Sequence, residues 1–121
     1  MGENVAIIGA SVKSHRYSYK AQQMLTDYGH SSYPVSARGQ SVLGVDGYST
    51  IADIKEPIDT VTIYINAKLH EKQFEQIAAK QPKRVIFNPG TESEQLMAQY
   101  NHLGIDAFEA CTLVMLQTKQ F

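Results

Sequence analysis

The sequence predicts an α/β fold: a doubly wound, mainly parallel sheet of five to six strands with helices on both faces. Short β-branched runs alternate with segments of helical periodicity along the chain, and such alternation gives parallel strands joined by right-handed crossovers. The first strand run is continuously apolar, which is typical of a strand buried on both faces. With 121 residues, the chain can bury one core but not two, so we expect a single domain over residues 1–121.

Five apolar or β-branched runs predict the strands. They are Asn4–Ile8, Ser32–Val35, Thr60–Ile65, Arg84–Phe87 and Ile105–Phe108. A short edge strand at Gly47 and Tyr48 is a weaker sixth candidate. Because glycine, proline or polar residues follow each run, we expect these strands to end in loops.

Helical spacing of apolar side chains predicts helices between the strands. The first helix is predicted to bury one face, formed by Tyr17, Ala21, Met24, Leu25 and Tyr28. The next two are indicated by Leu69, Phe74, Ile77 and Ala78, and by Leu96, Met97, Tyr100 and Leu103. A helical turn is expected at 50–54, and the tail from Cys111 to Phe121 is ambiguous.

A capping box is predicted at the start of the third long helix. Thr91 and Glu94 have the spacing at which a hydroxyl accepts from the backbone N–H three residues later. Gly29 and Gly104 follow the first and third helices and are predicted to end them.

Composition excludes several classes of partner. Eleven basic and twelve acidic residues give a net charge of −1. The chain therefore lacks the excess of basic residues that binding to nucleic acid or an anionic membrane requires. No apolar stretch is long enough to span a bilayer, and the N-terminus lacks the basic flank of a secretory signal. The single cysteine, Cys111, excludes an intramolecular disulfide and a multi-cysteine metal site. We therefore expect a cytoplasmic domain.

The turn after the first strand is a candidate phosphate site. Gly9, Ala10 and Ser11 lead from a buried strand toward a helix, whose N-terminal N–H groups favour an anion. Dinucleotide-binding proteins usually have G-x-G-x-x-G here, whereas this loop carries Lys13, His15 and Arg16. Side-chain cations in place of glycines suit a diphosphate. The alternative is an ordinary turn with solvated charges.

The end of the second strand bears on which nucleotide would fit. A site for an unmodified ribose usually has Asp or Glu about 20 residues after its glycines. Here the strand ends at Pro34 and Val35 and is followed by Ser36 and Arg38, with no acid. Serine and arginine fit a phosphorylated ribose, as in coenzyme A (CoA) or NADP. An exposed loop arginine is the alternative.

No catalytic or metal-binding constellation is evident. The four histidines are not at metal-ligand spacing, and we expect His70 and His102 to lie on solvated helix faces. His15 is the exception, because it lies in the candidate phosphate loop. Cys111 is expected to pack in the core, with a position in the ligand cleft as the alternative.

Several segments, in serial order over nearly the whole chain, resemble the stand-alone CoA-binding domain proteins. They include Val5–Ser11, Arg16–Ser18, Tyr33–Val35, Gly44, Asp59–Val61, Asn88–Gly90 with Glu92, and Ala110–Cys111. That family is similar to the N-terminal CoA-binding domain of the succinyl-CoA synthetase α subunit. The resemblance implies a single Rossmann-like domain that binds CoA.

The resemblance also implies which residues bind CoA. The diphosphate is assigned to the first turn and the start of the helix, that is, to Gly9, Ala10, Ser11, Arg16, Tyr17 and Ser18. The nucleoside side is assigned to Pro34, Ser36 and Arg38, although family members commonly have Asn and then a lysine-like group at the last two. Later loops contribute Tyr64, Ile65, Asn66, Asn88, Gly90 and Glu92, and Gln often replaces Asn88 in the family.

The resulting hypothesis is a CoA- or acyl-CoA-binding module without catalysis of its own. The phosphohistidine domain and the partner subunit that the synthetase needs have no room in 121 residues. Two alternatives stay open: a fragment of an NADP-linked oxidoreductase, and a regulatory or scaffold protein with an empty cleft. Two protein partners also stay open: a second copy of the chain, bound through helix faces or the apolar tail, and an unidentified protein.

Overall fold

The computed structural model describes residues 2–121. In this part of the chain, five parallel strands form a single sheet with the order β2-β1-β3-β4-β5. The strands are β1 Asn4–Ile8, β2 Ser31–Val35, β3 Thr60–Ile63, β4 Arg84–Phe87 and β5 Asp106–Glu109. The helices are α1 Tyr17–Asp27, α2 Ala67–Ala79, α3 Glu94–His102 and α4 Thr112–Gln117, with a 3-10 turn at Ile51–Asp53.

The strand order reverses next to β1, which places a crevice there. The chain goes from β1 to β2 on one side and then crosses to β3 on the other, so that Ile8 is flanked by Val35 and Ile63. The loops after β1 and β3 therefore diverge to opposite sides of the sheet. In open parallel sheets, ligands bind at such a switch point, beyond the carboxyl ends of the strands.

Two hydrophobic layers cover the two faces of the sheet, as the predicted Rossmann-like α/β fold requires. Alternate residues of β1 point to opposite faces, so Val5 and Ile7 belong to one buried cluster and Ala6 and Ile8 to the other. Helix α1 packs beside α4, and α2 packs beside α3. The fold class is confirmed.

The buried face of α1 differs from the predicted one. The fully buried positions are Ser18, Ala21, Gln22 and Leu25, whereas Tyr17 is 69% exposed and Tyr28 is 49% exposed. The burial of Gln22 is compensated by a hydrogen bond, in which its Nε2 donates to the carbonyl of Val42, 2.9 Å away in the long loop after β2. Local periodicity could not predict this contact, because Val42 lies 20 residues away in the chain.

Three local predictions are corrected at element ends. Helix α3 is capped by Ser93, whose hydroxyl accepts from Leu96 N, whereas the Thr91 hydroxyl donates to the carbonyl of Asn88. Strand β3 ends at Ile63, two residues earlier than predicted. At the weak sixth strand, the structure shows an isolated bridge between Tyr48 and Val35.

His70 is also corrected, because it is buried rather than solvated. Its side chain is 0% exposed, lies between Phe87 and Tyr100, and has Nε2 2.7 Å from the Tyr100 hydroxyl. Burial lowers the pKa of His70 to about 4, so the ring is neutral at physiological pH. His102 is exposed, as predicted.

Across residues 2–121, we find no helix with the combined length and apolarity needed to cross a bilayer.

Candidate functional site

The carboxyl edge of the sheet carries a cleft of about 250 Å³ beside the switch point. It is bounded by the loop after β1, the start of α1, and the loops after β3 and β4. Its walls are formed by Gly9, Ser11, Arg16, Tyr17, Ser18, Tyr64, Ile65, Asn66, Pro89, Gly90 and Thr91. Four separate segments therefore meet at this cleft.

Gly9 brings the chain close to β3 at the floor of the cleft. Its φ of +95° is in the region that disfavours side chains, and its N–H donates to Val35 O at 2.9 Å. A Cβ at this position would lie 2.8 Å from Ile65 Cγ2 and 3.0 Å from the Tyr64 carbonyl carbon. Glycine is therefore required here both by conformation and by space.

The N-terminus of α1 provides the positive end of the cleft. The first N–H groups of a helix lack intrahelical acceptors, and within the described chain no side chain caps those of α1. Asn66 caps α2 and Ser93 caps α3. The guanidinium of Arg16 makes no ion pair with any described residue, and Ser18, only 4% exposed, lines the cleft. This end of the cleft suits an anion.

The loop after β4 is held by a buried polar network around Asn88. Its side-chain amide donates to Thr62 Oγ1 at 2.7 Å and to Ile63 O at 2.9 Å, and its Oδ1 accepts from Thr112 N at 2.9 Å. The hydroxyls of Thr62 and Thr112 are 2.8 Å apart. Asn88 is 2% exposed, so its side chain joins β3, β4 and α4 and positions the loop.

Glu92 lies at the rim of the same loop. Its carboxylate oxygens accept from the N–H of Gly90 at 3.0 and 3.1 Å. Hydrogen bonds from the backbone N–H groups of Glu92 itself and Gly90 lower the pKa of this carboxyl. Glu92 therefore stays ionised and rigidifies the turn that contains Gly90, whose φ is +90°.

A second pocket of about 230 Å³ adjoins the cleft on the side of β4 and β5. It shares the side chains of Tyr17, Tyr64 and Pro89 with the cleft and is completed by Asn88, Cys111 and Leu113. Cys111 is half-buried. Burial raises the pKa of Tyr64 to about 12, so its phenol is neutral. We call this space the apolar pocket.

The residues predicted on the nucleoside side lie outside the cleft. Pro34 is buried in β2, and its carbonyl accepts from Tyr48 N. Ser36 donates its N–H to Tyr48 O, while its hydroxyl oxygen is buried without a partner among the described residues. Arg38 is exposed and makes no ion pair in the described chain.

The structure thus brings most of the predicted residues together. Gly9, Ser11, Arg16, Tyr17, Ser18, Tyr64, Ile65, Asn66 and Gly90 all line the cleft. Ala10 lies beside it and donates its N–H to Val35 O. Sequence reasoning selected neither Pro89 nor Thr91 individually, although both belong to a loop that it placed at the site.

The Thr62–Thr112 contact was not predicted, because these residues are 50 positions apart. His15 is exposed and does not line the cleft. Within residues 2–121, no group of three His, Cys, Asp or Glu side chains is arranged to hold a metal ion.

A parallel sheet with helices on both faces and a cleft at its switch point defines a Rossmann-like domain. More specifically, the chain belongs to the CoA binding domain family, whose sequence profile matches residues 3–117. This confirms the resemblance found in the sequence.

Curated relatives are ligases that contain this domain as a part. The chain is 26% identical over 84 residues to an ADP-forming acetate–CoA ligase of Methanocaldococcus jannaschii, covering 69% of this chain and 12% of the ligase. It is 29% identical over 83 residues to the α subunit of ADP-forming acetate–CoA ligase II of Pyrococcus furiosus, covering 68% of this chain and 18% of that subunit. The chain therefore spans less than a fifth of either relative.

A solved structure matches over the full length. A crystal structure of an uncharacterized protein superposes with a TM-score of 0.94 at 38% identity, covering 100% of this chain and 99% of that one. The same architecture is therefore found in a protein of nearly the same length.

Proposed function

We propose that this protein binds CoA or an acyl-CoA in the cleft and acts as a binding module without catalysis of its own. The observation that carries the proposal is the uncapped N-terminus of α1, with Arg16 and buried Ser18, facing the cleft beside Gly9. Free N–H groups, an unpaired guanidinium and a close backbone approach suit a diphosphate. Membership of the CoA binding domain family supports the same ligand.

The 3′-phosphorylated ribose is proposed to lie over the loop after β2. This loop adjoins the diphosphate turn, because the N–H groups of Gly9 and Ala10 both donate to Val35 O. Arg38 is an unpaired cation on this loop, and the buried hydroxyl of Ser36 lacks a partner in the described chain. Both side chains need to reorient toward the ligand, because neither lines the cleft.

The relatives support CoA as the ligand, but we do not assign their reaction to this chain. Their names describe acetate–CoA ligases, and this chain covers only a small part of each. A cleft with a positive end is suited to hold CoA, which is one part of such a reaction. We further propose a cytoplasmic location, where CoA is used, and no nucleic-acid or membrane partner.

Calorimetric titration with CoA tests the diphosphate assignment. Arg16→Ala is expected to weaken CoA binding by about 1–3 kcal/mol through loss of a charge-assisted hydrogen bond. Lys55→Ala is the matched control, because Lys55 is an exposed cation on the segment leading into β3, at the opposite edge of the sheet. Equal affinities of Arg16→Ala and wild type would contradict the diphosphate assignment.

Dephospho-CoA tests the ribose assignment separately. Arg38→Ala is expected to weaken CoA by about 1–3 kcal/mol and to leave dephospho-CoA unchanged, since that ligand lacks the 3′-phosphate. If Arg38→Ala weakens both ligands equally, or neither, Arg38 does not bind the 3′-phosphate.

Thermal-shift measurements with CoA, acetyl-CoA, NADP and NAD discriminate between the function classes. A ligand that binds only the folded state raises the melting temperature. Stabilisation by CoA above NADP supports the proposal. Stabilisation by NADP above CoA would identify an oxidoreductase fragment, and no stabilisation by any of them would favour a regulatory or scaffold protein.

A further inference from the structure

The apolar pocket lies on the far side of the cleft from the proposed nucleoside site. In the order β2-β1-β3-β4-β5, the diphosphate turn follows β1, the nucleoside loop follows β2, and the pocket lies at the ends of β3, β4 and β5. Adjacent strands are about 4.8 Å apart, so the pocket begins about 5 Å along the sheet edge from the diphosphate turn and extends away from it toward β5. A ligand with its nucleoside over β2 therefore directs its other end toward this pocket.

The pocket adjoins the cleft. The side chains of Tyr17, Tyr64 and Pro89 line both spaces. The arm of a CoA molecule that leaves the diphosphate site would therefore have the pocket next to it. Cys111 and Leu113, at the start of α4, close the far wall.

The chemistry of the walls favours an uncharged group. None of the described residues lining the pocket is Asp, Glu, Lys, Arg or His. The Tyr64 phenol is neutral, and both ends of the Asn88 amide are engaged by Thr62, Ile63 and Thr112. A carboxylate would lose much of its hydration here and would meet no cationic side chain, whereas a thioester with a short alkyl chain carries no charge that needs one.

The volume limits the length of that chain. An apolar cavity of about 150 Å³ holds a benzene molecule, so 230 Å³ accommodates the sulfur and an acyl group of about four carbons. A longer chain would have to leave the pocket.

We propose that the apolar pocket selects the acyl group, so that the preferred ligand is a short, uncharged acyl-CoA. This inference rests on the proposed function, because the pantetheine arm reaches the pocket only if the diphosphate is held at α1. Each methylene buried in the pocket is expected to tighten binding about three- to fourfold.

Calorimetric titration of the wild-type protein with CoA, acetyl-CoA, butyryl-CoA and succinyl-CoA tests the inference, with a reductant present to keep the Cys111 and CoA thiols free. We expect butyryl-CoA to bind about tenfold more tightly than acetyl-CoA, from two added methylenes. Succinyl-CoA, of the same chain length but charged, is expected to bind no more tightly than CoA.

Leu113→Trp fills the pocket, and Val114→Trp is its matched control. Val114 is the next residue of α4 and is 52% exposed. Leu113→Trp is expected to abolish the preference for butyryl-CoA over CoA, and Val114→Trp is expected to keep this preference. Leu113→Ala, which enlarges the pocket, should move the preference toward hexanoyl-CoA and serves if the tryptophan variant does not fold.

The outcomes separate the inference from the proposed function. If wild-type protein does not bind CoA at all, the proposed function fails. If CoA binds but butyryl-CoA gains no affinity, succinyl-CoA binds as tightly as butyryl-CoA, or both Leu113 variants retain the wild-type order, the inference is overturned and CoA binding stands.

Discussion

Replacing Gly9 by alanine tests whether the close approach of the first turn to β3 is a steric requirement. The substitution adds one methyl group to a residue with φ +95°, and that methyl would lie 2.8 Å from Ile65 Cγ2 and 3.0 Å from the carbonyl carbon and oxygen of Tyr64. Two of these three atoms are backbone, so they cannot rotate away. The strand end that forms the floor of the cleft must move instead.

Gly29 provides a matched comparison. It has a similar φ of +87°, follows α1, and has no atom within 4 Å of an added Cβ among the described residues. Alanine at either position costs about 1–2 kcal/mol for the left-handed backbone, and the effect of the extra methyl on the unfolded chain is the same for both. Overpacking adds about 1–3 kcal/mol at Gly9 alone.

The loss of unfolding free energy in each variant is measured by urea denaturation, and an unchanged m-value shows that the midpoint shift reports stability. We expect Gly29→Ala to lower the free energy of unfolding by about 1–2 kcal/mol and Gly9→Ala by about 2–5 kcal/mol. Gly9→Ala is also expected to weaken CoA binding, because Ile65 and Tyr64 line the cleft. Equal destabilisation by the two variants would refute the steric argument.

Two further predictions concern buried polar groups. Asn88→Ala is expected to lower the free energy of unfolding by about 2–5 kcal/mol in urea titrations, because the buried Thr112 N–H and Ile63 carbonyl lose their hydrogen bonds to Asn88. A loss below about 1 kcal/mol would show that the Asn88 network does not stabilise the fold. For His70, the folded pKa of about 4 lies below the unfolded value near 6.5, so the unfolded state binds the extra proton and stability falls by about 3 kcal/mol as pH drops from 6.5 to 4. The variant His70→Leu/Tyr100→Phe should lose this part of the pH dependence, and an unchanged pH profile would show that His70 does not titrate in this way.

Strand positions were predictable because their signal is local. Residues Val5–Ile8 are buried on both faces of a parallel sheet and are all apolar, and the predicted and observed bounds of the strand, Asn4–Ile8, agree. Element ends were less predictable. Thr91 and Ser93 both offer a hydroxyl before α3, and only the course of the loop from Asn88 decides which one caps the helix.

The candidate site was predictable to the extent that topology alone brings loops together. The turn at Gly9 and the loops after β3 and β4 follow the carboxyl ends of neighbouring strands, so their residues meet at one cleft. Whether Ser36 and Arg38 reach that cleft depends on side-chain direction, which the strand pattern does not contain. In the structure they lie outside it.

The amino-acid order by itself determined the alternation of strands and helices and the glycine-bounded turn after β1, because these follow from backbone propensity and burial within a few residues. Folding in three dimensions decided which residues are inside: His70 meets Tyr100 thirty positions later, Gln22 meets the carbonyl of Val42, and Leu113 joins Tyr64 around one pocket. Burial is a property of neighbours that come from distant parts of the chain, so a polar side chain whose partner lies far away is indistinguishable in the sequence from one that faces water.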